Sequence, residues 1–187
     1  MRPNTKTIIK FLVFLGVILV IGIVVHQLAQ NEVVLSAIAT LGYVGVILAG
    51  FLGGLNAFVP IPAATLSTLF LNAGLSIPLI IFSLAIGTLI ADWIGYLIGY
   101  FGRHTLDTHH PRVTIFFTDL HKRHNALDIP LVFIYAAFVP LPNELFLIPL
   151  ALAKSRFTPL IIPLFLGNLI NQALLVYGFS SIFSFFG

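Results

Sequence analysis

The chain has 187 residues, 59% of them hydrophobic and 8% charged, with a net charge of +3 and a mean hydropathy of +1.09. Soluble domains carry about 25% charged residues, so this composition excludes a soluble globule and selects an integral membrane protein of one domain, 1–187. The absence of cysteine excludes thiol and disulfide chemistry. The basic balance does not point to nucleic acid either, because Lys and Arg sit in short clusters between apolar runs, where they report orientation.

In chain order, Arg2, Lys6 and Lys10 precede an apolar run that reaches Ala29. About 20 apolar residues cross a bilayer as a helix, so 11–29 is expected to be a first span. Its start resembles a signal peptide, but no small-x-small cleavage site is evident near "HQLAQN". From Val33 to Ala91 the chain is uncharged, yet "LNAFVPIPAATL" interrupts it with Asn56, Pro60 and Pro62. Proline removes a backbone donor and clashes with the preceding turn. Irregular backbone at membrane depth survives only where protein or a wet cavity covers it. A re-entrant helical hairpin over 33–72, its tip near Asn56 to Pro62, is therefore expected.

A full span over 78–101 follows. The polar segment 103–128 is expected to hold a helix capped by Asp107 or Thr108 and starting near Pro111. Val113, Phe116, Phe117, Leu120 and Leu127 would share one face, as in an amphipathic helix on a membrane surface. His104, His109, His110, His121 and His124 lack metal-ligand spacing, so neither metal nor cofactor is expected. Residues 130–152 repeat the hairpin pattern around Pro140, Pro142 and Asn143, and 159–180 form a last span.

With a cytoplasmic N-terminus, this path places every Lys and Arg in the chain on the cytoplasmic side, as the positive-inside rule requires. It also makes the two hairpins enter from opposite faces. The units are similar in sequence. Ala57-Phe58-Val59-Pro60-Ile61-Pro62 and Ala137-Phe138-Val139-Pro140-Leu141-Pro142 share five of six residues. Pro78-Leu79-Ile80-Ile81 answers Pro159-Leu160-Ile161-Ile162, and Gly87-Thr88-Leu89-Ile90 answers Gly167-Asn168-Leu169-Ile170. Repeat 1 (33–101) and repeat 2 (130–180) would then be inverted copies meeting at the bilayer midplane, a transporter pattern. The expected fold class is an all-α polytopic membrane protein in the cell (cytoplasmic) membrane.

Two acids, Asp92 and Glu144, fall inside these membrane segments. Asp92 is eleven residues from Arg103, so roughly 16 Å deep at about 1.5 Å per residue. A carboxylate there costs at least about 2.5–3.5 kcal/mol, and intramembrane acids mark transport paths and proton relays. Protons are thus expected partners. The alternative role for both acids is to hydrogen-bond the carbonyls freed by the hairpins. Asn168, Asn171 and Gln172 offer a polar lining on the last span, with Gln172 answering Asp92; interhelical hydrogen bonding is the expected use. Gly87, Ala91, Gly95 and Gly99 form a small-residue stripe for close helix packing.

"NAFVPIPAATL" resembles the first hairpin of the DedA family, the bacterial and archaeal members of the SNARE-associated (VTT) group, whose pattern is roughly N-x-x-P-P-x-P-G-E. "GTLIADWIGYLIGYFGR" closely resembles the family's G-x-x-x-G-D…Y-x-x-G-R segment, with Asp92, Tyr96 and Gly99, and "AAFVPLPN" stands where the family has R-F-x-P-x-x-R. The resemblance covers about 40–178 and implies a flippase or scramblase for polyprenyl-phosphate lipids or phospholipids, in several members linked to the proton motive force. This chain departs at the family's hairpin Glu, held here by Ala64, and at both arginines, held by Ala137 and Asn143. Glu144 stands at the second-hairpin position equivalent to Ala64. Losing the arginines removes the usual bidentate phosphate ligand, although half-helix N-termini and Asn side chains can bind phosphate.

The expected function is transport of a lipid or polyprenyl-phosphate lipid between leaflets, with Asp92 and Glu144 as the proton-carrying pair and Asn56 and Asn143 at the hairpin tips. An exporter of small amphipathic solutes and a non-transporting membrane-biogenesis scaffold are the alternatives. No enzyme is expected, because H-E-x-x-H and G-x-S-x-G are absent. A homo-oligomer is compatible with the sequence.

Overall fold

The computed structural model describes residues 30–55, 63–109, 128–139, 141–153 and 155–186, with 23, 24, 27 and 28. The first span expected over 11–29, the first hairpin tip with Asn56, Pro60 and Pro62, Pro140 of the second tip, and 110–127 lie outside the described residues. What is described is all helical. The elements are α1 (Glu32–Gly54), a 3-10 turn (Ala63–Leu66), α2 (Ser67–Asn72), α3 (Ile77–His109), α4 (Asp128–Phe138), α5 (Glu144–Leu152), a second 3-10 turn (Thr158–Leu160) and α6 (Ile161–Phe186). Three stretches, Glu32–Gly54, Ile77–Gly102 and Thr158–Gly178, are long and apolar enough to cross a membrane. The last two agree with the expected full spans. The chain is a membrane protein on this ground.

α1 begins where Asn31 caps it, its Oδ1 accepting from the amides of Val33 (3.0 Å) and Val34 (3.3 Å), which satisfies donors that have no partner within the helix. It is not continuous. Gly42 stands at φ 54°, ψ −141°, a backbone state closed to side chains with a Cβ. Beyond it, Tyr43–Gly54 gives about 18 Å of helix at 1.5 Å per residue. Next to the break, the Tyr43 hydroxyl accepts from the Ser76 amide at 3.2 Å and lies 3.3 Å from its Oγ. This ties the break to the corner where α3 starts.

The other end of the molecule has a comparable corner. Ser155 precedes the last span, its Oγ donating to buried Asp128 at the start of α4 (3.5 Å) and its carbonyl accepting from Tyr96 on α3 (2.6 Å).

The helices are packed in a crossed way. α3 lies along α1, and α6 along α4, at glycines. A Cβ on Gly87 would run into the Ile47 carbonyl, Gly50 and Phe51 of α1; one on Gly167 would stand 2.7 Å from Ala136 and 2.9 Å from the Phe133 carbonyl of α4. Each of these spans also meets short helices from the other part of the chain: α3 packs on α5, and α6 on the first 3-10 turn and α2. The core divides accordingly. One cluster holds Val46, Ala63, Ala64, Phe70, Ile80, Leu84 and Val176, and another Val132, Ala136, Leu147, Leu150, Leu160 and Leu164. Large apolar side chains such as Phe82, Trp93, Ile162 and Leu174 face outward, as a lipid-facing surface requires.

One expectation needs correction. The helix expected to start near Pro111, with Asp107 or Thr108 as cap, does not hold those two as caps: α3 continues through both to His109. Neither Pro nor Gly falls within Arg103 to His109, so the helix runs on past its apolar part. Ala57 and Phe58, paired in sequence with Ala137 and Phe138, lie outside the described residues. Gly87 sits on Phe51, whereas Gly167 sits on Ala137, so Ala137 takes the place of Phe51. α1 stops at Gly54, before Ala57, while α4 runs through Ala137 and Phe138.

Candidate functional site

Asp92 lies at the middle of α3 and is fully buried. A carboxyl so placed needs hydrogen bonds, and two asparagines supply them. Asn168 on α6 donates from Nδ2 to Asp92 Oδ2 at 2.6 Å. Asn143 donates from Nδ2 to both Asp92 oxygens, at 3.0 and 3.2 Å, and to Asn168 Oδ1 at 3.0 Å. Asn143 occupies the N-cap position of α5 but makes no capping bond. Its amide is turned into the bundle instead, so the start of α5 is tied to the crossing of the two long spans.

One turn away along each span, Gln172 donates from Nε2 to Thr88 Oγ1 at 3.1 Å, and Thr88 donates to the Leu84 carbonyl at 2.9 Å. The two cross-span pairs correspond. In the alignment of Gly87-Thr88 with Gly167-Asn168, Thr88 answers Asn168 and Asp92 answers Gln172. The pair Thr88–Gln172 is therefore the counterpart of Asn168–Asp92. In the sequence Thr88 carries no distinct sign of this role, because threonine in a helix commonly bonds its own preceding turn.

Glu144, the first residue of α5, is 2% exposed. Its side chain lies over Gly95, where a Cβ would stand 2.7 Å from Glu144 Cγ. Gly95 thus makes room for the second acid, a role that the small-residue stripe did not reveal. The remainder of the stripe is divided: Gly87 and Ala91 meet α1, and Gly99 meets Ile148 and Ala151 of α5. In the other half the sizes are exchanged. Ala64, answering Glu144, is fully buried in the cluster against which Leu175, answering Gly95, is packed. Glu144 directly follows Asn143, whose amide donates to Asp92.

The remaining expected residues fall around this centre. Asn171 donates to the Ala137 carbonyl at 3.3 Å, near the end of α4. The Pro142 carbonyl accepts from the Tyr135 hydroxyl at 3.2 Å, and the Tyr135 ring stacks on Phe146 at 5.0 Å. Tyr135 had no signal in the sequence beyond its aromatic character. The structure thus brings together Asp92, Asn143, Asn168 and Glu144, with Gln172, Asn171 and Pro142 beside them. On the membrane-facing side, Leu89, Ile90, Trp93, Phe157 and Ile161 line an apolar groove of about 240 Å³. Among the described residues, no group of three or more His, Cys, Asp or Glu side chains is placed to hold a metal. Comparison of the chain with protein-family models, with curated proteins and with solved structures found no significant match.

Proposed function

We propose that the protein is a DedA-like membrane transporter that moves a lipid between the two leaflets of the cytoplasmic membrane. Its two halves are read as inverted repeats, each a re-entrant hairpin followed by a full span, with the N-terminus cytoplasmic. The observation that carries this reading is the cluster of Asp92, Asn143 and Asn168. It is a buried carboxyl at mid-span, held by one amide from the opposite span and one from the base of a broken arm. Structural helices gain about 0.6 kcal/mol on average from an interhelical side-chain hydrogen bond in a membrane, less than the insertion cost of the acid. Architecture alone gives a poor account of such a group.

Arm length supports the hairpins. α4 and α5 have 11 and 9 residues, about 16 and 14 Å of helix, half of a hydrocarbon core of about 30 Å. The part of α1 beyond Gly42 has a similar reach. The corresponding pairs Thr88–Gln172 and Asn168–Asp92, and the crossed packing of each span on the other half's returning arm, support the repeat. Asp92 and Glu144 are assigned to proton coupling, and the apolar groove beside Trp93 to a hydrocarbon chain in transit.

The test is a lipid-flipping assay in vesicles containing the purified protein, with Asp92→Asn as the comparison. Wild type should move a fluorescent lipid between leaflets, and Asp92→Asn should do so at least about tenfold more slowly, the factor for one charge-assisted hydrogen bond. Vesicles with correctly folded wild-type protein that behave like empty ones would leave a scaffold as the better reading.

A further inference from the structure

Below the acids, at the end where the last span begins, one aromatic side chain joins several elements. From Asp92 toward Arg103, Tyr96 is the next residue on the same face of α3, one turn on. It directly follows Gly95, over which Glu144 lies. Tyr96 is buried; its ring packs on Phe157 at 5.0 Å and its hydroxyl donates to the Ser155 carbonyl at 2.6 Å. Phe157 also lines the apolar groove beside Trp93. The other half fills the same place without a polar atom. The turns at Ser155 and Leu75 are built alike, each amide donating to the carbonyl five residues back, Leu150 at 3.1 Å and Phe70 at 3.0 Å. In the alignment of Gly87 with Gly167, Val176 answers Tyr96. Val176 is fully buried, and Leu75 packs against the cluster that contains it. Hydrocarbon is therefore enough to shut such a corner, and the tyrosine hydroxyl asks for a reason of its own.

A tyrosine has an apolar body and a polar tip. Packed, it seals as hydrocarbon does; turned outward, its hydroxyl exchanges one hydrogen bond for another with water, at small net cost. We propose that Tyr96 is the gate on this side of the acids: its ring, with Phe157, shuts the path to Glu144 and Asp92, and its hydroxyl latches the ring on the Ser155 carbonyl. The proposal rests on the transport reading above and gives it a moving part. In the open state the ring swings away from Phe157, water takes over the Ser155 carbonyl, and Glu144 is reached from the side assigned above to the cytoplasm. Tyr96→Phe keeps the ring and removes the latch, so the open state gains population.

The experiment uses the full chain in vesicles, with Glu144→Cys as the single reporter and a membrane-impermeant cationic thiosulfonate applied to one side at a time. Asn143→Cys is the second reporter, for use if the first does not fold. Thr158→Cys, at an exposed position beside Phe157, identifies the side on which this end lies. From that side, the reporter should be labelled about fivefold faster with Tyr96→Phe than with Tyr96 in place, the factor for one net hydrogen bond. Phe157→Ala should speed it as well, and labelling from the opposite side should not change. Equal rates with and without the hydroxyl would overturn the gate. So would a rise from both sides alike, which would make Tyr96 a packing residue only. Lipid flipping by the wild type is measured in parallel. One-sided acceleration without any flipping would keep the gate and overturn lipid transport. Flipping with unaltered labelling would overturn the gate and leave lipid transport standing, and neither effect would overturn both.

Discussion

Glu144 rests against Gly95 through its own flexible side chain, and this makes the position of the acid separable from its charge. In Gly95→Ala the new Cβ meets Glu144 Cγ and no backbone atom closer than the Glu144 Cα at 3.8 Å. The helices can stay in place while the carboxyl is displaced. We expect Gly95→Ala to fold, with an unfolding temperature in detergent close to wild type, and to transport about tenfold more slowly, since misplacement of a functional group by an ångström is costly. Gly99→Ala meets the Ile148 carbonyl at 2.8 Å and should lose stability by about 1–3 kcal/mol, measured in the same way. A carboxyl can accept hydrogen bonds, or donate when protonated, and an amide reproduces its hydrogen bonding without the proton chemistry. Glu144→Gln and Asp92→Asn are therefore both expected to insert normally and to lose transport or its pH dependence. The double variant should be little worse than either single, because interacting acids act as one unit. Full transport with unchanged pH dependence in Glu144→Gln would reduce the acid to a structural group at the hairpin base. Asp92, Asn143 and Asn168 were legible in the sequence because a polar side chain in an apolar run has few reasons to be there. Gly95 was not, because a residue without a side chain carries no chemical sign of what lies over it.

At the scale of elements, the proposed sidedness is the most exposed point. Since the chain has no cysteine, single cysteines report cleanly. Asn72 is exposed at the end of α2, and Thr158 is exposed at the start of the last span, unlike its buried neighbour Ser155. A cysteine at Asn72 should label only from outside and one at Thr158 only from the cytoplasm. Labelling of Asn72 from the cytoplasm would make α1 a full crossing. The cross-span contacts have their own check: cysteines at Thr88 and Gln172 should be joined by a short reagent, and absence of joining in folded protein would remove the correspondence of the halves. The two uninterrupted spans were legible to within two residues, because continuous apolar length is a strong signal. The contacts at the glycines were not legible, because helix packing is decided by which residues let two backbones approach: Gly87 meets Phe51, and Gly167 meets Ala137. The polar stretch from Arg103 to His109 was read as leaving the helix because its composition changes, whereas a helix ends where a breaker or cap ends it.

For the whole molecule, the two halves, taken as the proposed repeats, share a plan but not a chemistry. Acid, amides and a glycine recess lie on one side; Ala64 and Leu175 close the other with hydrocarbon. Ala64→Glu should therefore misfold rather than create a second site. It would place an unpaired carboxyl where exposure is zero, at a cost of several kcal/mol, visible as loss of monodisperse protein in detergent. The plan also depends on one residue far from the acids. As a straight rod, the 23 residues from Glu32 to Gly54 would measure about 35 Å, more than the hydrocarbon core. On the proposed hairpin reading, the break at Gly42 prevents this, and with it sets the parity of crossings for everything synthesised afterwards. Alanine at this position cannot hold φ 54°, ψ −141°. In Gly42→Ala the nascent chain should straighten at the insertion machinery, cross once more, and present later loops to the opposite compartment. A cysteine at Thr158 would then be reached from outside in a measurable fraction of molecules. An unchanged labelling pattern would mean that the direction of threading is settled elsewhere in the chain.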